Sequence, residues 1–203
     1  MDEKDGIYYI KNKSMLKNFL KTECEFYRSK QKKFKQLAIL RQYLFPVTES
    51  DILLKHAVLL RKTEYYINTK KPMRAVVYKT RLRLLQNKYS LHISPNNCDI
   101  GLHIMHLGPI LMNEKVRVGR NCALHINTAI VAGGSNDDVP KLGDGVVIGV
   151  GAVLLGGITI ADNVAIGANA VVNKSIDQEN VSVAGVPAKI IGKNGRLSWN
   201  NGR

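Results

Sequence analysis

A six-residue repeat runs through the second half of this 203-residue chain and constrains its fold more than any other feature. Stepping by six from Ile100 to Val172 meets an aliphatic residue at eleven of thirteen positions, and the two exceptions are His106 and Asn136. Alternating strands have a period of two, so a phase of six held over twelve steps is hard to reach in a sandwich of such strands. The pattern predicts a parallel β-helix built from hexapeptide repeats, with three hexads to each triangular coil.

Each slot of the repeat has a physical role in such a coil. The recurrent aliphatic residue is expected to point inward, and the small or β-branched residue four positions later is expected to pack beneath it in the narrow core. A glycine follows the aliphatic residue at five steps and is expected to take the positive φ of a corner. These glycines are Gly101, Gly119, Gly143, Gly149 and Gly167. The small residues include Cys122, Thr128, Val146, Ala152, Val164 and Ala170.

The first half of the chain has the pattern of helices. No glycine or proline stands between residues 7 and 45, and the apolar spacing there predicts one or two amphipathic helices. Thr48 and Asp51 have the spacing of a capping box, which predicts a helix over about residues 49–67. A basic amphipathic segment follows from Pro72 to about Gln86. The fold class is therefore α+β, with a basic helical domain at 1–88, a β-helix domain at 89–192 and a C-terminal tail at 193–203.

The positive charge of the chain is concentrated in the helical half. Residues 1–90 hold 21 basic and 8 acidic residues, whereas residues 91–203 hold 9 and 8. A solvated helical cap in which Lys and Arg stems cover apolar surface would have this composition. Docking onto anionic lipid headgroups or onto an anionic substrate is the second interpretation. Nucleic acid is not expected as a partner, because no recognition motif with aromatic platforms is present.

Features that the sequence lacks indicate where in the cell the protein is expected to be. No stretch approaches the length of apolar sequence that a membrane span requires. The N-terminus is acidic and polar, unlike a secretory signal peptide, and the three cysteines are odd in number and scattered. We expect a reducing, cytoplasmic location, with peripheral contact at the inner membrane face as an extension of the charge argument.

Two irregularities in the repeat mark candidate functional positions. Asn136 lies within the Gly133 to Pro140 segment, whose composition predicts a loop that leaves the coil, and such loops commonly line a binding face. His106 occupies a slot reserved for an aliphatic residue. Either the phase slips in the first coils or an imidazole is built into the wall for a purpose.

Four segments together resemble the serine acetyltransferase branch of the left-handed β-helix acyltransferases. They cover residues 101–113, 118–122, 140–149 and 183–192, and the resemblance extends over about residues 89–193. It implies a left-handed β-helix, a homotrimer of parallel prisms, and acetyl-CoA in the groove between neighbouring subunits. His106 matches the catalytic histidine of that family, which acts as a general base on the acceptor hydroxyl.

Coil spacing, polarity and the resemblance together indicate further candidate site residues. His125 lies one coil and one residue beyond His106, where it would either orient the acceptor or the His106 ring, or face solvent at a corner. Asn113 and Asp138 are candidates for binding acceptor hydroxyls. In matching coils of the family, Gly134, Val150 and Ala168 fall where backbone groups contact the pantetheine arm of CoA. Lys189 would meet the CoA phosphates as a point charge or remain an ordinary solvated lysine.

Two departures from the family pattern bear on the acceptor. Serine acetyltransferases have an aspartate before the catalytic histidine and a second histidine before the Pro-Lys of the loop, and this chain has Met105 and Val139 there. Apolar residues at these positions favour a sugar hydroxyl, as in the O-acetyltransferases of capsule or exopolysaccharide synthesis, with a glycan or lipid-linked sugar as acceptor. The alternatives are serine O-acetylation in cysteine biosynthesis and a non-catalytic trimeric scaffold.

A metal enzyme on the same prism is a third class. A carbonic-anhydrase-type site needs three histidines converging on zinc. The chain has enough imidazoles in His92, His103, His106 and His125, but they lack that family's ligand spacing. No metal is therefore expected.

Overall fold

The structure, a computed structural model, describes residues 3–4, 7–27, 44–134 and 137–200. A short hairpin of β1 (Glu3–Lys4) and β2 (Ile7–Tyr8) precedes helix α1 (Lys13–Tyr27). The one or two helices predicted within 7–45 are confirmed as α1, while residues 28–43 lie outside the described part.

Two further helices lie in the described part of the N-terminal half. Helix α2 spans Glu49–Asn68 and begins with the predicted capping box: the Thr48 hydroxyl accepts from the Asp51 amide, and the Asp51 carboxylate accepts from the Thr48 amide. Helix α3 spans Pro72–Tyr89, with proline in its first turn. It ends at Ser90, which is left-handed with φ 57°. None of the described helices combines the length and apolar character needed to cross a membrane.

The rest of the chain coils into three parallel sheets that form the sides of a prism. The strands are β3 (Leu91–His92), β4 (His103–Ile104), β5 (Ile110–Met112), β6 (Arg117–Val118), β7 (Ala123–Leu124), β8 (Thr128–Val131), β9 (Lys141–Leu142), β10 (Val147–Ile148), β11 (Val153–Leu155), β12 (Thr159–Ile160), β13 (Ala165–Ile166), β14 (Val171–Val172), β15 (Ser182–Ala184) and β16 (Lys189–Gly192). The last of these pairs antiparallel to β15, and helix α4 (Gly195–Asn200) follows. The segment predicted as a C-terminal tail thus contains a helix, whose Arg196 amide donates to the Asn163 carbonyl.

The repeat predicts the core of the prism correctly from the second coil onward. Its aliphatic slots are buried, and so are the small residues beneath them; Asn136 falls outside the described residues. The buried slots are Met112, Val118, Leu124, Ile130, Leu142, Ile148, Leu154, Ile160, Ile166 and Val172. The coil is thereby filled mainly with apolar side chains, and the Thr128 hydroxyl donates to the His125 carbonyl at 2.9 Å.

The phase of the repeat slips in the first coil. Cys98 and Ile104 align with Val118 and Leu124 of the next coil and take the inward slots that the repeat assigns to Ile100 and His106. The chain between Ile104 and Met112 holds two residues more than one hexad. His106 is therefore not part of the inner wall, and its side chain is free to point outward at a corner.

The glycine prediction holds at only one of the five positions. Gly101 has φ +83°, but Gly119, Gly143, Gly149 and Gly167 are not among the positive-φ residues. What these four need is space: a Cβ on Gly149 would lie 2.8 Å from the Ala168 amide nitrogen of the next coil. The left-handed corner residues stand two positions later, as Asn121, Gly145, Gly151 and Asn169. Asparagine tolerates this conformation better than most side chains.

The predicted loop is an insertion of six residues. Ile148 pairs with Ile166, 18 residues on, whereas Leu124 pairs with Ile148, 24 residues on. The extra residues lie between β8 and β9, where the described positions 133, 134, 137 and 138 are exposed.

A buried ion cluster fixes the helices to the first coil. The Arg61 guanidinium, fully buried on α2, donates to Glu23 of α1 at 3.0 Å and to Glu64 at 2.9 Å. It also donates to the Cys98 and Asp99 carbonyls at 2.8 and 2.7 Å. The two carboxylates raise the pKa of Arg61. Because every member is hydrogen-bonded, the cluster specifies one docking geometry for two helices and the prism.

Helix α1 also covers the edge of the sheet. The Tyr27 hydroxyl accepts from the Ile104 amide at 2.8 Å and donates to its carbonyl at 3.2 Å, and the Phe26 ring stacks on His103 at 4.0 Å. Strand β4 is the edge of its sheet, so these contacts satisfy backbone groups that would otherwise be open.

The three cysteines are free thiols inside this core. Burial raises the pKa of Cys122 to about 12 and that of Cys98 further. Both thiols are therefore protonated at neutral pH and serve as small apolar core groups.

Candidate active site

His106 lies on the corner segment between β4 and β5, with its side chain 59% exposed. The extra residues of the first coil carry it out of the wall. Its Nδ1 lies 3.5 Å from Oε1 of Glu49, the first residue of α2, and the same carboxylate oxygen accepts from the Leu107 amide. The helix thus brings a carboxylate close to Nδ1 of the imidazole.

His125 lies beside His106, as its position one coil later predicts. The two ring centroids are 6.0 Å apart with an angle of 47° between the planes. His125 is buried, whereas His106 is exposed. His125 therefore does not take the solvent-facing corner position, and its buried ring lies beside the exposed ring of His106.

Val150 and Ala168 lie on the same edge of the prism. The register Ile104 to Leu124 to Ile148 to Ile166 places their corners in one column below that of His106. Neighbouring strands are about 4.8 Å apart, so corner residues of successive coils in this column are separated by about the same distance. Val150 is 38% exposed and Ala168 is exposed. An elongated ligand could lie along this edge with its reactive end at His106.

Asn113, Gly134 and Asp138 do not share that edge. All three lie where the sheet containing β5 and β8 turns into the sheet containing β6 and β9. Strand β5 alone separates Asn113 from the His106 corner by about 10 Å at 3.3 Å per residue. The Asn113 side chain accepts from the Lys115 amide and closes its own turn. Within one chain, Asn113 and Asp138 therefore lie on a different edge of the prism from His106, and their contact with an acceptor hydroxyl stays a prediction.

Of the remaining positions, one is exposed and two are partly buried. Lys189 is exposed at the start of β16, at the far end of the prism from His106. Met105 is partly exposed next to His106, and Val139 is partly buried against the core at the base of the loop. In the described ranges, no three His, Cys, Asp or Glu side chains form a group that could hold a metal ion.

Glu49 is the site residue that the sequence did not reveal. An acidic residue in the first turn of a helix is favoured by the helix dipole alone, so nothing in the pattern distinguishes it. Its role depends on a tertiary contact across 57 residues of chain, from Glu49 to His106.

Comparison with known proteins agrees with this architecture. Residues 140–174 match the family Bacterial transferase hexapeptide (six repeats). The mitochondrial serine acetyltransferase 3 of Arabidopsis thaliana is 37% identical over 94 residues, which are 45% of this chain and 24% of that protein. The serine acetyltransferase of Buchnera aphidicola is 30% identical over 142 residues, 67% of this chain and 50% of that protein. The chain thus spans about a quarter to a half of these curated relatives' length.

Solved structures show the same fold. The serine acetyltransferase of Brucella abortus in complex with coenzyme A matches with a TM-score of 0.66 at 24% identity, over 90% of this chain and 70% of that one. The Neisseria gonorrhoeae enzyme in complex with serine matches with a TM-score of 0.63 at 22% identity, over 89% and 70% of the two chains. The fold is that of serine acetyltransferases: N-terminal helices followed by a left-handed parallel β-helix.

Proposed function

We propose that this protein is an O-acetyltransferase that moves the acetyl group of acetyl-CoA to a hydroxyl, with His106 as general base. The observation that carries the proposal is the exposed His106 imidazole beside the Glu49 carboxylate, at the head of an open edge of a serine-acetyltransferase fold. Val150 and Ala168 offer exposed surface for the pantetheine arm along that edge.

The chemistry needs one proton carrier. An alcohol is a poor nucleophile at neutral pH, so His106 accepts the hydroxyl proton as the oxygen attacks the thioester carbonyl. The new C–O bond forms, the C–S bond breaks, and the proton passes from His106 to the departing CoA thiolate. Glu49 is placed to stabilise the imidazolium that exists between these two transfers. No covalent acyl-enzyme takes part.

L-Serine is the first acceptor to test. Similarity in sequence and in fold to serine acetyltransferases from several organisms supports it over the sugar favoured by the motif alone. A sugar hydroxyl, as in capsule or exopolysaccharide O-acetylation, is the second candidate. Met105 beside His106 and Val139 at the loop favour it, because neither can pair with the charged groups of an amino acid.

A homotrimer would complete the site. Asn113, Asp138 and Gly134 lie on a different edge from His106 within one chain, and a closed ring of identical subunits can bring two different edges together. In this arrangement, the groove for acetyl-CoA runs between one subunit's His106 edge and the neighbour's loop.

The experiment measures release of free CoA thiol from acetyl-CoA with L-serine, a panel of mono- and oligosaccharides, and simple alcohols. We expect turnover with at least one acceptor, and a kcat about 10²–10⁴-fold lower for His106→Ala with the affinity for CoA nearly unchanged.

Preference for L-serine or for a sugar decides between the two acceptors. Turnover with none of them would favour the non-catalytic scaffold. If His106→Ala keeps more than about a tenth of wild-type turnover, His106 is not the base and His125 becomes the candidate.

A further inference from the structure

Helix α3 exposes an apolar ridge that no described residue covers. Met73, Val76 and Leu84 are 83%, 65% and 66% exposed, and Val77 is 49% exposed. Leu82 on the opposite side of the helix is buried against the rest of the fold. At about 100° per residue, these four exposed residues form one stripe along the outer face of the helix.

Cations flank the ridge on both sides. By the same helical spacing, Arg74, Arg81 and Lys88 follow one side of the stripe, and Lys79 and Arg83 follow the other. Helix α3 contains no Asp or Glu. None of these five cations forms an ion pair with a carboxylate in the part of the chain that the structure describes.

A cavity opens on each side of the ridge. The first, of about 480 Å³, lies between α2 and α3, with leucine and isoleucine walls and the cations Lys55, Arg81 and Lys88. None of the described residues that line it is a carboxylate.

The second cavity, of about 470 Å³, lies between α3 and the first coils. Four cations, Lys79, Arg83, Lys115 and Arg117, line it together with one carboxylate, Glu114. Both cavities therefore suit anionic groups, and the ridge between them suits an apolar medium.

Charge and apolar character together select the partner. A second copy of this chain placed face to face would oppose cation to cation with no acidic residue on either helix, which is unfavourable. A nucleic acid would match the cations but give Met73, Val76 and Leu84 no apolar environment. A bilayer with anionic lipid satisfies both, because apolar side chains enter the acyl boundary while basic side chains reach the headgroups.

We propose that α3 is a membrane-docking helix that lies on a bilayer containing anionic lipid. The ridge enters the interface, and the cavities on its two sides receive lipid phosphates. This inference is independent of the acceptor and of catalysis.

The test is co-sedimentation of the full chain with vesicles of phosphatidylcholine alone and of phosphatidylcholine mixed with phosphatidylglycerol. We expect binding only to the mixed vesicles and weaker binding in high salt, because exposed charges are screened over about 8 Å at physiological ionic strength. Two double variants separate the components. The helix variant, Arg81→Gln with Arg83→Gln, should weaken binding about 30-fold. Each basic residue near an anionic surface contributes about 1 kcal/mol to binding, and each 1.4 kcal/mol changes the affinity tenfold.

The second variant, Val77→Gln with Leu84→Gln, keeps every charge and should weaken binding about tenfold or more. Lys174→Gln with Lys193→Gln removes two exposed lysines from the prism region and should bind like the wild type. Far-UV circular dichroism and thermal unfolding establish that each variant is folded.

Three results would overturn the inference. The first is no binding to mixed vesicles. The second is an equal loss of binding in the prism variant (Lys174→Gln with Lys193→Gln) and in the helix variant, or unchanged binding in the ridge variant (Val77→Gln with Leu84→Gln). Either outcome indicates a general polyanion surface, such as one for nucleic acid. The third is a mass that rises with concentration and falls in the ridge variant, which indicates a second copy on this face.

Discussion

Replacing Glu49 by glutamine tests whether the helical half takes part in catalysis. Glutamine keeps an acceptor for the Leu107 amide and removes only the charge that faces His106 at 3.5 Å. Two unit charges at that distance interact by about 1 kcal/mol in water and about 5 kcal/mol at an effective dielectric constant of 20. The side chains of His106 and Glu49 are 59% and 47% exposed, so the value in water applies more closely. We expect kcat to fall about fivefold to tenfold.

A double-mutant cycle separates this role from a structural one. The assay is thiol release from acetyl-CoA at saturating acceptor, for the wild type, Glu49→Gln, His106→Ala and the double variant. If Glu49 acts through the imidazole, the glutamine substitution has little further effect once His106 is alanine. Thermal unfolding of each variant provides the control for loss of helix stability. An equal loss of kcat in both backgrounds would refute the reasoning, because Glu49 would then act on something other than His106.

Three other predictions concern assembly and stability. Light scattering should give three times the 22.6 kDa chain mass, and a monomer at micromolar concentration would exclude a site shared between subunits. Burial lowers the pKa of His56 from 6.5 to about 4. As the pH falls below about 6.5, His56 is therefore protonated in the unfolded chain but stays neutral in the folded chain. The free energy of unfolding should therefore fall by about 2–3 kcal/mol between about pH 7.5 and about pH 4.5. Urea titrations should show a smaller fall for His56→Leu, by this amount, than for the wild type. An equal fall in both proteins would contradict this prediction. Arg61→Met should lower the free energy of unfolding by about 3–5 kcal/mol, because it leaves Glu23 and Glu64 buried without their cation. Adding Glu23→Gln and Glu64→Gln should restore part of that stability. No recovery would indicate that the loss comes from packing.

The prism could be predicted from the sequence because its physics is local and periodic. A slot such as Leu124 or Ile148 repeats the same environment in every coil, so each hexad supports the interpretation of the next. The capping box at Thr48 is equally local. The glycine prediction failed because a residue such as Gly149 can be required either for its φ or for the space it leaves, and the repeat alone does not separate the two.

The candidate site was only half predictable. The phase of the repeat singles out His106, and one coil of spacing leads to His125. Glu49 has no such signal, because its contact joins a helix to a coil that lies far along the chain. Asn113 carries the opposite lesson: a polar residue at a corner satisfies its own turn, and its position along the chain does not reveal which edge of the prism it occupies.

The helices and the prism form one unit at the site, although the predicted boundary at residue 88 divides them. Arg61 fixes α2 to the carbonyls of Cys98 and Asp99, which lie eight and seven residues before His106. Glu49, the first residue of α2, accepts a hydrogen bond from the Leu107 amide just after that corner. Because one helix contacts the first coil on both sides of His106, a change in the docking of α2 must displace the carboxylate relative to the imidazole. The buried cluster around Arg61 therefore serves the geometry of the site as well as the stability of the fold.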